Sequence, residues 1–133
     1  MSLDLRALPL RTVLRLDGLL CLGMGAGLVV LRHPLAGFTG LSPTFLAIAG
    51  GLLIPVGLFI LAVASFRTPP RAGVMVVVVG NVLWVVASMA VLVAGIVSPT
   101  ALGAALILVQ ALVVAGLAAL EAAPRGAFQQ LDV

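Results

Sequence analysis

Charge is what this chain has least of. Only 8% of its residues are charged, no lysine occurs, and between Arg71 and Glu121 there is no Asp, Glu, Lys, Arg or His. A soluble domain carries about a quarter of its residues as charged side chains to cover its surface. A chain of 133 residues that is 63% hydrophobic, with a mean hydropathy of +1.36, has no such cover, so lipid is the solvent that suits it. Other absences narrow the chemistry. Cys21 is the single cysteine, which excludes an intrachain disulfide and a cysteine-based metal cluster. One histidine, His33, excludes a bis-histidine haem within one chain. No metal-ligand spacing, nucleophile–base pair or Gly-rich phosphate loop occurs. The sequence calls for no catalytic residue, no metal and no cofactor, and an enzyme is not expected.

The net charge of +3 does not point to nucleic acid. Every basic residue is Arg, the arginines are spread thinly, and none sits in a run with interleaved aromatics. Arginine beside apolar segments orients a chain against a bilayer instead.

What is present is a set of long apolar runs. A helix crosses the hydrocarbon with about 20 apolar residues, and four stretches qualify: Thr12 to Leu31, Pro43 to Phe66, Ala72 to Val97 and Ala101 to Leu120. The runs are continuous, without the two-residue alternation of barrel strands, so helices are expected. The predicted fold is all-α: one domain, 1–133, forming an integral membrane bundle of four transmembrane helices. His33 to Gly40 and Arg67 to Arg71 carry Pro and Gly and read as turns. Ser-Pro-Thr occurs at Ser42 and again at Ser98, and each Ser reads as an N-cap with Pro as first helical residue. The first span has a basic start, but no small-x-small cleavage site follows it, so an uncleaved span is expected.

Arg6, Arg11, Arg15, Arg67, Arg71 and Arg125 fall on one side of these spans, and Arg32 alone falls on the other. The positive-inside rule then predicts a multi-pass membrane protein with both termini cytoplasmic. The halves also align in part. Arg15 to Leu20 (RLDGLL) matches Val79 to Trp84 (VGNVLW), setting Asp17 against Asn81, and Leu41 to Leu46 (LSPTFL) matches Val97 to Leu102 (VSPTAL). Two tandem helical hairpins would produce this pattern, and so would chance alignment of low-complexity apolar sequence.

Polar side chains inside a bilayer are costly and often functional. Asp17, Asn81, Gln110 and Glu121 form the candidate polar cluster. Asp17 lies about 8 Å into its predicted span and Asn81 about 14 Å, from the helical rise. Gln110 and Glu121 are three turns apart on one face, Asn81, Trp84 and Ser88 share another, and Asp17 shares a third with Cys21 and Met24. Asn81 can donate to Asp17 across spans one and three. The competing reading is structural, with these groups acting as interhelical hydrogen bonds. Gly23 and Gly27 form a GxxxG, and Ala111, Ala115 and Ala119 a small-residue ladder; both are expected to pack helices, within the bundle or against a second chain. Pro55 is expected to bend the second span.

Taken together, LRLDGLL, GNVLW followed by AS, SPTALG and a closing ALE resemble small bacterial four-helix inner-membrane proteins with no assigned activity. The architecture is also similar to that of the small multidrug resistance transporters, which have four short helices and an acidic residue in the first. Asp17, however, stands near a helix end where those proteins carry a mid-membrane Glu, and no aromatic cage for a cation can be built, so that function is not carried over. The expected role is a structural or accessory membrane subunit in contact with the bilayer and with a second copy or another membrane protein. The alternative is a small transporter, or a lipid or small-molecule binder, using the polar cluster.

Overall fold

The structure is a computed structural model and describes residues 8–124. Five helices follow one another: α1 (Leu10–Val30), α2 (Arg32–Thr39), α3 (Pro43–Ala64), α4 (Arg71–Val93) and α5 (Ala101–Ala122), with no strand among the described residues. Four of them, α1, α3, α4 and α5, are long and apolar enough to cross a membrane. By length and composition they are the helices of a multi-pass membrane protein.

The helix ends follow local chemistry, not always where the sequence pattern set them. At α3, the Ser42 side chain accepts from the Phe45 N–H and Pro43 opens the helix, as expected of Ser-Pro-Thr. At the second Ser-Pro-Thr the cap is Thr100, not Ser98; its hydroxyl accepts from the Gly103 N–H at 3.1 Å. The reason lies across the bundle, where the Thr100 N–H donates to the Thr39 carbonyl (2.8 Å) and its hydroxyl donates to the Phe38 carbonyl (2.7 Å). Those bonds hold Ser98 and Pro99 outside the helix. The third span ends at Val93 and not Val97, because Gly95 adopts φ +68° just past the Ala94 cap, the left-handed turn that closes many helices.

The segment expected to be a turn, His33 to Gly40, is largely helical. Pro34 falls in the first turn of α2, where its missing N–H costs nothing, and Gly40 closes α2 with φ +74°. Thr39 is buried and donates its hydroxyl to the Leu35 carbonyl at 2.7 Å. α2 therefore packs as a short helix against α3 and α5.

The closest packing is between α1 and α3, antiparallel, with glycines where the backbones meet. A Cβ at Gly25 would lie 2.7 Å from the Gly50 carbonyl oxygen, and one at Gly57 would lie 3.0 Å from that of Gly18. The packing glycines are thus Gly18 and Gly25 facing Gly57 and Gly50. Gly23 and Gly27 have open space where a Cβ would stand. At 100° per residue Gly23 lies about 140° around the helix from Gly18, so the GxxxG looks away from α3. Arg11 adds a tie at one end, its Nε donating to the Ala64 carbonyl at 3.0 Å, where α3 has run out of intrahelical donors.

An apolar core of Leu10, Leu14, Ile60, Val63, Val74 and Val77 joins the start of α1, the end of α3 and the start of α4. In lipid such contacts gain little from leaving solvent, and close packing and polar ties carry more of the specificity. α4 pairs mainly with α5. Over an 18-residue stretch of each helix the enclosed share falls from 33% in α3 and 28% in α1 to 17% in α5 and 11% in α4, so the α4–α5 pair presents the broader open surface.

Candidate functional site: a buried polar junction

Three helices bring their polar residues to one point. Asn81, eleventh residue of α4, donates through Nδ2 to Asp17 Oδ2 of α1 at 2.7 Å and to Glu121 Oε1 of α5 at 2.9 Å. An amide NH2 has two hydrogens, so one nitrogen can serve both carboxyl groups. All three side chains are buried, Asp17 at 1%, Glu121 at 3% and Asn81 at 5% exposure. The other carboxyl oxygen of Asp17 faces Cys21, whose thiol donates at 3.7 Å from one turn further along α1. Asp17 and Cys21 share a face at i, i+4 spacing, and Leu14 one turn earlier closes that face with 0% exposure. Arg15 points away and is exposed.

Gln110 does not join this junction. It forms a second node between α4 and α5, one that closes on itself. Trp84 Nε1 donates to Gln110 Oε1 at 2.8 Å, Gln110 Nε2 donates to Ser88 Oγ at 3.1 Å, and Ser88 Oγ donates back to the Trp84 carbonyl at 2.8 Å. Gln110 Nε2 also donates to the Ile107 carbonyl at 2.8 Å. Gln110 and Glu121 share the face of α5 toward α4, but eleven residues of helix separate them by about 16 Å along the axis. One cluster cannot span that distance.

The alanine ladder divides. Ala111 is buried, whereas Ala115 and Ala119 are exposed. They line a shallow apolar groove of about 340 Å³ between α4 and α5, opposite Val78, Val82 and Val86. A second hollow, of about 380 Å³, lies where α2 and α3 begin and is lined by Arg32, His33, Pro43, Thr44, Ala47 and Ile48. Neither hollow is lined by Asp17, Asn81, Gln110 or Glu121.

Several residues that hold this arrangement were not singled out by the sequence. Thr39, Thr100 and Gly103 clamp α2 to the start of α5, and a Cβ on Gly103 would run into the Thr39 carbonyl. Gly18, Gly25, Gly50 and Gly57 set the α1–α3 approach; their seven-residue spacing on both helices is the signal that could have found them. Comparison with family models, with curated proteins and with solved structures finds no match to this chain.

Proposed function

We propose that this chain is a structural or accessory subunit of a membrane assembly, acting through helix contacts and not as an enzyme. The observation that carries the reading is the junction itself. The most expensive side chains in the spans, Asp17, Asn81 and Glu121, are engaged with one another, and none of them lines either of the two hollows described above. Intramembrane polar groups used in this way fix which helices meet and in what register. The open α4–α5 surface, with its small-residue groove, is then the face offered to a second copy or another membrane protein. The arginine distribution supports cytoplasmic termini, and under that orientation the junction falls in the cytoplasmic half. The resemblance of the sequence to small bacterial four-helix inner-membrane proteins makes that membrane the proposed location and assigns no activity. A tandem duplication is supported by one geometric fact. Asp17 and Asn81, aligned with each other by the sequence repeat, touch each other, as residues near an axis relating two halves would.

Crosslinking in native membranes tests the reading. Cysteines introduced at Val86 and Ala119, on the open groove, should join the chain to one defined partner or to a second copy. A cysteine at Leu52, exposed on α3, should not. No crosslink at either groove position would contradict the subunit reading.

A second reading has one observation in its favour: two carboxyl side chains converge on one amide nitrogen, and intramembrane carboxyl groups line many ion and proton pathways. Under that reading the chain is a small transporter or ligand binder. Asp17→Asn and Glu121→Gln would then abolish flux in proteoliposomes while leaving the fold intact.

A further inference from the structure

We infer that the hollow at the start of α2 and α3 is a binding site for the phosphate group of an anionic phospholipid. Arg32 and His33 are the first residues of α2, and Pro43 and Thr44 the first of α3. Two helix N-termini and a guanidinium therefore face one hollow of about 380 Å³. Arg32 Nη1 donates to the Val29 carbonyl at 2.6 Å, which pins the guanidinium over the end of α1 while its remaining N–H groups are donors for a further acceptor. Among the described residues the carboxyl side chains are Asp17 and Glu121, both in the junction. Asp17 lies about 22 Å down the helix axis from Arg32, so no described acid can neutralise it.

An Arg with spare donors beside a hollow and no described acid near it can take an anion, and its planar fork matches phosphate. The Thr44 hydroxyl and backbone N–H and the His33 ring N–H supply further donors, the Phe45 N–H being taken by the Ser42 cap, since helix N-termini favour phosphate oxygens. The surroundings name the carrier. Val30, Leu31 and Ile48 are 72%, 50% and 60% exposed beside the hollow, and Leu52, one turn below Ile48, is 56% exposed. The hollow thus stands where an apolar surface of spanning length begins, placing a headgroup in it and an acyl chain along α3. A free phosphate would use the donors but not that surface.

The test uses the full chain in detergent and spin-labelled phosphatidylglycerol. Arg32→Gln should weaken lipid association by about tenfold, the loss expected for a charge-assisted hydrogen bond. Arg32→Lys should weaken it less, and Arg67→Gln, at the far end of α3, should leave it unchanged. Phosphatidylcholine of the same chains should compete poorly, and inorganic phosphate should not displace the lipid. Should Arg32→Gln fail to fold, Thr44→Val decides: weaker association supports the site and unchanged association overturns it. Equal loss in Arg32→Gln and Arg67→Gln would reduce the effect to net charge and overturn the proposal. Displacement of the lipid by inorganic phosphate would overturn the lipid assignment.

Discussion

Replacing Asn81 by Leu isolates the energetics of the junction. Leucine repeats the branched skeleton of the asparagine side chain in a larger volume, so the substitution removes the donor without opening a cavity of the kind that dominates large-to-small changes, and any overpacking adds to the cost. Two hydrogen bonds are lost, to Asp17 and to Glu121. Interhelical side-chain bonds in membranes average about 0.6 kcal/mol and reach about 1.7, so the pair contributes about 1 to 3 kcal/mol. Both carboxyl oxygens bond to one nitrogen, so they stand within about 6 Å of each other. Left in a buried site without their shared donor, they push the cost toward the upper end of that range. Unfolding in mixed micelles by increasing denaturing detergent measures it, and the chain supplies its own reporter, since Trp84 is the only tryptophan and sits in the neighbouring node. A double-mutant cycle with Asp17→Ala should return a coupling of about 0.6 to 1.7 kcal/mol. A stability for Asn81→Leu within about 0.3 kcal/mol of the parent, below the usual surface-substitution scatter, would refute the claim that the junction ties the helices.

Three further outcomes follow from the packing and the charge pattern. Gly50→Ala should destabilise the fold by about 1 to 3 kcal/mol, the range for overpacking, because the new Cβ would stand 2.6 Å from the Gly25 carbonyl oxygen; Gly23→Ala, with open space around it, should be neutral in the same unfolding assay. Gly103→Ala should break the clamp between α2 and α5, seen as faster amide exchange at Thr100 with little change at Asn81. A reporter fused after Val133 should be active only in the cytoplasm and one inserted at Gly37 only outside, and the reverse pattern would overturn the orientation read from the arginines.

The four spans were legible because a continuous apolar run of spanning length has few alternatives in a chain with so little charge. Their ends were less so. Ser42 could be read directly as a cap, but Thr100 caps only because the chain beside it is drawn to Thr39, a contact that depends on α2. α2 itself carried a helix signature, Pro34 in its first turn and Gly40 just past its end, yet the same residue types mark turns. The glycines show a different limit. A four-residue spacing drew attention to Gly23 and Gly27, while the antiparallel contact of α1 and α3 recurs every seven residues and uses Gly18 and Gly25. Asp17, Asn81 and Glu121 stood out as lone polar residues on an apolar background, and the structure brings these three together. Gln110 was grouped with them because periodicity reports which face a residue shares and says nothing of its separation along the axis.

The most direct measurement of the central claim, that one buried amide ties three helices together, is a distance in lipid. Asn81 is the only asparagine and Glu121 the only glutamate in the chain, so protein labelled with 15N in the Asn side chain and 13C in Glu gives one unambiguous pair by solid-state NMR. A second sample with 13C in the Asp side chains, read against Asp17→Asn, gives the other. The account predicts dipolar transfer from Asn81 Nδ2 to both carboxyl carbons, at the roughly 3.5 Å separation that a direct hydrogen bond imposes. Transfer to neither carboxyl carbon would show that the helices meet without the junction and would contradict the account.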